Sequence, residues 1–279
     1  MKKVTALVLS ILMAVSLFTA CGSEEAATDT SAPEPEATEA ADEERTTFTV
    51  GFDSSFPPYG YEDENGELVG FDLDLAAEVC ARNGWELIKT PINWDAKDNE
   101  LNSGAIDCIW NGFTINGREN DYTWTEPYMN NSQVYVVKSD SGIETPADLK
   151  DKNILVQAAS SALTALEDPK NKELMDSFAN LDEVPDYNAA FLDLESGAGD
   201  AIAMDVGVAR YQIENRDSAQ FTILEEALDT TEQYGIGFKL GNEELRDKVQ
   251  TTLKAMVGDG KFKEIADKYG LADSVCLEA

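Results

Sequence analysis

No histidine occurs among the 279 residues, which removes the side chain most often used as a general base near neutral pH and as a transition-metal ligand. Serine–histidine triads and ordinary zinc sites are excluded with it. The four cysteines, Cys21, Cys80, Cys108 and Cys276, show no CxxC spacing, so neither a zinc knuckle nor a thioredoxin-type redox site is suggested. Bases are scarce: 21 Lys and Arg stand against 54 Asp and Glu, for a formal charge of −33. Such a chain is repelled by nucleic acid and by anionic lipid, and it suits a solvated surface in salty medium. What remains is a normal globular composition, 43% hydrophobic and 9% aromatic, long enough for two domains. Nothing in it calls for a cofactor or a metal.

At the start of the chain, Lys2 and Lys3 precede an apolar run from Val4 to Ala20 that ends at small residues before Cys21. Residues 1–20 read as a secretory signal peptide. Cys21 directly after Thr19-Ala20 resembles a bacterial lipobox, with Phe18 where leucine is usual and Leu17 one step earlier. That resemblance implies that the Cys21 thiol is lipidated, with acyl chains such as palmitate, and becomes the new N-terminus at the extracellular face of the cytoplasmic membrane. More than one acyl chain gives stable anchoring, whereas one is marginal. From Gly22 to Thr46 there is no large apolar residue. Residues 21–46 are therefore expected to form the lipidated cysteine and a disordered, self-repelling acidic tether.

Order is expected from residue 47. Thr47 to Phe52 alternates like a strand, Asp63-Glu64-Asn65-Gly66 suits a hairpin turn, and Gly70 to Cys80 carries helical apolar spacing ended by Asn83-Gly84. Strands are expected over 85–92, 105–110 and 134–137, with a short helix over 97–102. The plan then repeats: strand 152–157, helices 161–167 and 188–196, strand 200–205, a short strand 235–238, and closing helices 245–257 and 262–269. In both blocks a helix runs through a Gly turn into an acidic strand start, Ser103-Gly104-Ala105-Ile106-Asp107 and Ser196-Gly197-Ala198-Gly199-Asp200. Alternating strands and helices imply an α/β protein with largely parallel, covered sheets.

Six ordered segments carry a resemblance: Phe56-Pro57-Pro58-Tyr59, Leu68 to Leu75 (LVGFDLDL), Ser103 to Asp107, Gly112-Phe113-Thr114-Ile115 followed by Arg118, Glu126-Pro127-Tyr128, and Asp148-Leu149-Lys150. Together, from about Phe48 to Gly270, the chain resembles the family 3 extracellular solute-binding proteins, the amino-acid receptors of ABC importers. The resemblance implies a two-lobe, periplasmic-binding-protein-like (type II) fold with a ligand cleft between the lobes. Lobe 1 would comprise 47–137 plus 234–275 and lobe 2 138–233, with hinge strands near Val134–Val137 and Tyr234–Gly237. It implies a monomer that captures a free polar amino acid and hands it to a membrane permease.

A free amino acid brings a carboxylate and an ammonium that both lose water in a cleft, so each needs a partner. By resemblance Arg118 is the α-carboxylate arginine, its planar fork suited to two parallel hydrogen bonds; the loop from Thr114 to Pro127 is one residue shorter than the commoner family form. Asp205, at a strand's carboxyl end, matches the aspartate that accepts from the α-ammonium, a role compatible with capping the helix that follows. Ser160 and Ser161 open a helix whose N–H groups would meet the carboxylate from lobe 2, or simply cap it. Phe56 and Trp94 match aromatic walls, with Trp110 either a neighbouring wall or core. Asn111, Gly112 and Thr114 would complete the carboxylate and ammonium contacts. Asp53 falls where several relatives aim a carboxylate at the ligand side chain, or else caps a turn; acidic, amide, basic and cystine ligands all stay open, with Asp53 and the acidic balance tilting weakly toward an amide or cationic side chain. The competing class is a dehydratase-like enzyme on the same fold, for which no acid or base stands out from the binding set.

Overall fold

The computed structural model describes residues 45–228 and 232–279; the signal segment, Cys21 and the expected tether through Glu44 lie outside them. Arg45 already pairs with Asp107 at 2.8 Å and Thr46 accepts from the Glu86 amide, so regular contacts begin two residues before the expected point. The elements are β1 (Thr47–Phe52), β2 (Ser55–Phe56), β3 (Gly60–Glu62), β4 (Leu68–Val69), α1 (Phe71–Asn83), β5 (Glu86–Pro91), α2 (Lys97–Ser103), β6 (Cys108–Thr114), β7 (Thr123–Trp124), β8 (Met129–Asn131), β9 (Gln133–Lys138), β10 (Asn153–Gln157), α3 (Ser161–Glu167), α4 (Lys172–Met175), β11 (Asn180–Val184), α5 (Tyr187–Ser196), β12 (Ala201–Asp205), α6 (Val206–Glu214), β13 (Phe221–Ile223), β14 (Glu232–Phe238), α7 (Glu243–Gly258) and α8 (Lys261–Lys268).

Two large sheets organise most of these elements, and β2-β3-β4 form a small third. The first runs β5-β1-β6-β14-β7 with β8 also on β14; the second runs β11-β10-β12-β9-β13. In the first sheet β1 is parallel to β5 and β6, and in the second β10 is parallel to β11 and β12. The strands that follow a crossing, β9 and β14, run antiparallel to their neighbours. The repeated acidic strand start has one physical role in both halves. The Asp107 amide donates to Thr49 O and the Asp107 carboxylate accepts the Thr49 amide at 2.7 Å, while Asp200 does the same with Asn153, its carboxylate accepting at 2.8 Å. Each carboxylate thus holds a backbone amide of the neighbouring parallel strand, the third of β1 and the first of β10.

Strand alternation sorts the side chains into faces. Phe48, Val50 and Phe52 of β1 and Cys108 and Trp110 of β6 face α1, α7 and α8, whereas Ile109 and Phe113 join Leu101 of α2 in a separate cluster. Helix α1 exists because Phe71, Leu75, Ala76, Val79 and Cys80 recur at helical spacing, and it ends where Gly84 takes φ 71° and its amide bonds Cys80 O. In the second sheet Leu155, Ile202 and Met204 pack on α5 and α6; Ile154, Val156, Ala201 and Ala203 pack on α3. Cys80 and Cys108 are buried and Cys276 half-buried, all three free thiols.

Two sequence expectations are corrected. The strand placed at 105–110 is at Cys108–Thr114, because Asn111, Gly112 and Thr114, read as a loop, are all buried within it. The crossing placed at Val134–Val137 falls at Ser132: β8 still pairs with β14, whereas β9 pairs with β12 and β13 of the second sheet. An apolar run identifies a strand but not the sheet that it joins. The chain is back on the first sheet at Glu232, two residues before the expected Tyr234.

Candidate functional site

The carboxyl ends of the parallel strands in the two sheets face one another, the usual place for ligands in open α/β sheets. A cavity there is lined by Phe56, Trp94, Gly112, Phe113, Thr114, Arg118, Gln157, Ser160, Ser161 and Asp205. Eight of the ten candidate ligand residues are in that lining. The other two, Asp53 and Asn111, stand directly behind it: the Asp53 amide donates to Asn111 Oδ1 at 2.8 Å. The cavity is about 10 Å³, room for roughly one water molecule, and contacts cross the cleft. Gln157 Nε2 on the second sheet donates to Asp53 Oδ2 at 2.7 Å, and the Phe56 and Tyr187 rings lie 6.0 Å apart. Gly207 admits this approach, since a Cβ there would come 2.4 Å from the Tyr59 hydroxyl.

Strand β6 brings the first sheet's groups to the cleft. Gly112 sits at φ 55°, and its amide donates to Asp72 Oδ2 at 2.6 Å. Asp72 is fully buried in the first turn of α1 and also accepts from Tyr128 OH at 2.9 Å. Burial pushes its carboxyl up to about 7, against the opposing pull of those hydrogen bonds. The acid in the LVGFDLDL segment therefore fixes the backbone that forms the cleft wall. Arg118 follows β6 through a turn in which its amide donates to Ile115 O at 2.8 Å. Its guanidinium lies 5.4 Å from the Phe113 ring centroid and donates to Thr114 O at 3.2 Å and across the cleft to Ala159 O at 3.4 Å. It forms no ion pair among the described residues. Trp94 meets Phe113 edge-on at 5.4 Å, while Trp110 is wholly buried in the first sheet's core.

On the second sheet Asp205 ends β12, 2% exposed. Its Oδ1 accepts from Asn131 Nδ2 at 2.6 Å, Tyr234 OH at 2.7 Å and Gln133 Nε2 at 2.8 Å. The same two amide groups donate to Glu232 Oε2, each at 2.9 Å, and Thr114 Oγ1 joins them at 3.2 Å. Burial first, and the Glu232 charge second, raise the Asp205 carboxyl above its ordinary value. Asp205 stands at the N-cap of α6, but its side chain makes no capping bond there. Ser160 does cap α3, accepting the Leu163 amide at 3.1 Å, and Ser161 Oγ accepts from Gln133 at 3.0 Å. Asp53 accepts the Ser55 amide and Gln157, so both of its oxygens are engaged; burial still raises it to about 6.

Lys97, Asn131, Gln133, Gln157 and Glu232 were not singled out from the sequence. Gln157 ends β10 as Asp205 ends β12, so the rule that found the aspartate also applied to it. The others are ordinary polar residues that only the crossing of the chain gathers.

The arrangement places a guanidinium from the first-sheet side and a buried carboxyl from the second in the lining of one cavity, beside Phe56 and Trp94, opposite charges of the kind that a small zwitterion would meet. Comparison with known proteins agrees in kind. L-cystine-binding protein TcyJ of Escherichia coli is 29% identical over 233 residues, spanning 82% of this chain and 85% of that protein. An ABC uptake transporter substrate-binding protein from Streptococcus pneumoniae, solved with bound histidine, superposes with a TM-score of 0.78 at 32% identity, covering 83% of this chain and 95% of that one. The ancestral amino-acid-binding protein AncCDT-1, a precursor of cyclohexadienyl dehydratase, superposes with a TM-score of 0.72 at 28% identity, covering 80% and 95%. The sequence profile of one family matches residues 48–272, and with it the chain belongs to the bacterial extracellular solute-binding proteins, family 3.

Proposed function

We propose that this protein captures a free polar amino acid by closure of two lobes and delivers it to the permease of an ABC importer. The observation that carries the reading is the convergence of Arg118 on the first sheet and Asp205 on the second at one cavity. Arg118 holds the α-carboxylate and Asp205 the α-ammonium, with Thr114 and the Asn111–Gly112 backbone beside them and Phe56 and Trp94 as walls. A desolvated ligand charge needs such a partner, and truncating one costs about 2–5 kcal/mol. Lobe 1 comprises the first sheet, residues 47–131 and 232–275, and lobe 2 the second, 133–228, with strand crossings as hinges. Because the cavity is too small for an amino acid, entry requires the lobes to part and re-form contacts around the ligand. The protein acts as a monomer held to the outer face of the membrane through lipidated Cys21 and the acidic tether, which the signal-like run and lipobox-like junction support. It has no catalytic step to perform.

Small-angle scattering and thermal melting test this together. The bound amino acid should reduce the radius of gyration, raise the melting temperature with concentration, and be recovered chemically intact. A stabilising ligand that left the scattering unchanged would sink closure, and conversion beyond one equivalent would favour an enzyme.

A further inference from the structure

Lys97 is the first residue of α2, yet it is only 4% exposed. Lysine is rarely buried without a paired charge, and a helix start disfavours a cation. Its ammonium lies 5.2 Å from the Trp94 ring centroid and 3.4 Å from two neutral acceptors, Trp94 O and Ala159 O. Arg118 reaches the same Ala159 O at 3.4 Å. Neither cation has an ion-pair partner among the described residues. The acids near Lys97 on its own segment, Asp95 and Asp98, are exposed, and Asp98 accepts the Tyr122 hydroxyl. Asp205 and Glu232, whose charges act on Arg118, are held by Asn131 and Gln133.

Two cations therefore share one neutral carbonyl beside the cavity. Burial, and then the Arg118 charge, lower the Lys97 ammonium to about 8, against the opposing pull of Asp98 and Asp95. A ligand with one carboxylate would satisfy Arg118 and leave Lys97 as it stands. Asp53, the feature that favoured a cationic or amide ligand, is already engaged by Ser55 and Gln157.

We infer that Lys97 is a specificity-determining residue that receives a second carboxylate of the ligand, so that the bound class is amino acids carrying two carboxylates. The inference rests on the amino-acid-binding reading above. Titration calorimetry of the full chain and of Lys97→Met with L-cystine, L-glutamate, L-glutamine and L-arginine tests it, with Lys97→Gln in reserve if the first variant does not fold. A dicarboxylic ligand should bind the wild type most tightly. Lys97→Met should weaken that ligand at least about 30-fold, while changing any binding of glutamine or arginine less than about threefold. Tightest binding of glutamine or arginine by the wild type would overturn the inference while leaving the receptor reading intact. Equal weakening of both ligand classes would overturn it too, leaving Lys97 as a cleft-closing contact to Ala159. Absence of binding by all four, and by every other amino acid, would remove the receptor reading itself and the inference with it.

Discussion

Lowering the pH from 8 to 5 should stabilise this protein, and Asp72 should account for a large part of the gain. Its carboxyl is fully buried and sits at about 7 instead of 3.8. Between those two values the folded chain holds a proton that the unfolded chain has released, so stability falls as pH rises through that interval. From pH 5 to about 7 each pH unit removes about 1.4 kcal/mol, so roughly 3 kcal/mol is lost by pH 8 relative to pH 5. Asp53, raised to about 6, adds in the same direction, and so does the mutual repulsion of a chain at −33. Asp72→Asn isolates the one contribution. Its Oδ1 can accept the Gly112 amide and its Nδ2 can donate to the Tyr128 oxygen, reproducing the bonds of the protonated acid. Urea denaturation at pH 5, 6, 7 and 8 should give a steep wild-type curve and a flatter one for Asp72→Asn, with the variant the more stable at pH 8. Parallel curves, or a wild type more stable at pH 8 than at pH 5, would refute the reasoning.

Asp205→Asn keeps an oxygen for Tyr234, Asn131 and Gln133 but removes the charge facing the ligand ammonium, and calorimetry should show binding at least about 30-fold weaker with no fall in melting temperature, since burial and Glu232 disfavour the charge removed. Gly112→Ala forces a side chain into φ 55°, with its Cβ 3.1 Å from both Phe56 Cε1 and Tyr234 Cε2; a loss of about 1–2 kcal/mol in chemical denaturation is expected, together with weaker binding. Cys21→Ser should move the protein from the membrane fraction into the medium, and its retention there would argue for another anchor.

The elements that could be read from the sequence are those whose burial is one-sided. α1, α3, α5, α7 and α8 carry their apolar stripe at helical spacing, and β1 alternates cleanly, so local pattern suffices for them. β6 is covered on both faces and includes buried Asn111 and Thr114, whose partners Asp53 and Glu232 lie 58 and 118 residues away. No local window contains that information, which is why its span was displaced. The site divides along the same line. Arg118, Asp205 and the aromatic walls follow motifs or strand ends, whereas Lys97 and Glu232 acquire meaning only when α2 and β14 are seen beside the cleft. Asp72 was visible as part of a motif, but its bond to Gly112 was not.

The most direct test of the account is isothermal titration of the wild-type protein and of Arg118→Ala with each free amino acid and with cystine. The account predicts one ligand bound per chain by the wild type, and binding of that ligand at least about 30-fold weaker in Arg118→Ala, because no other unpaired guanidinium was found at the cleft among the described residues. Undiminished affinity in Arg118→Ala, or a wild type that binds no free amino acid, would contradict it.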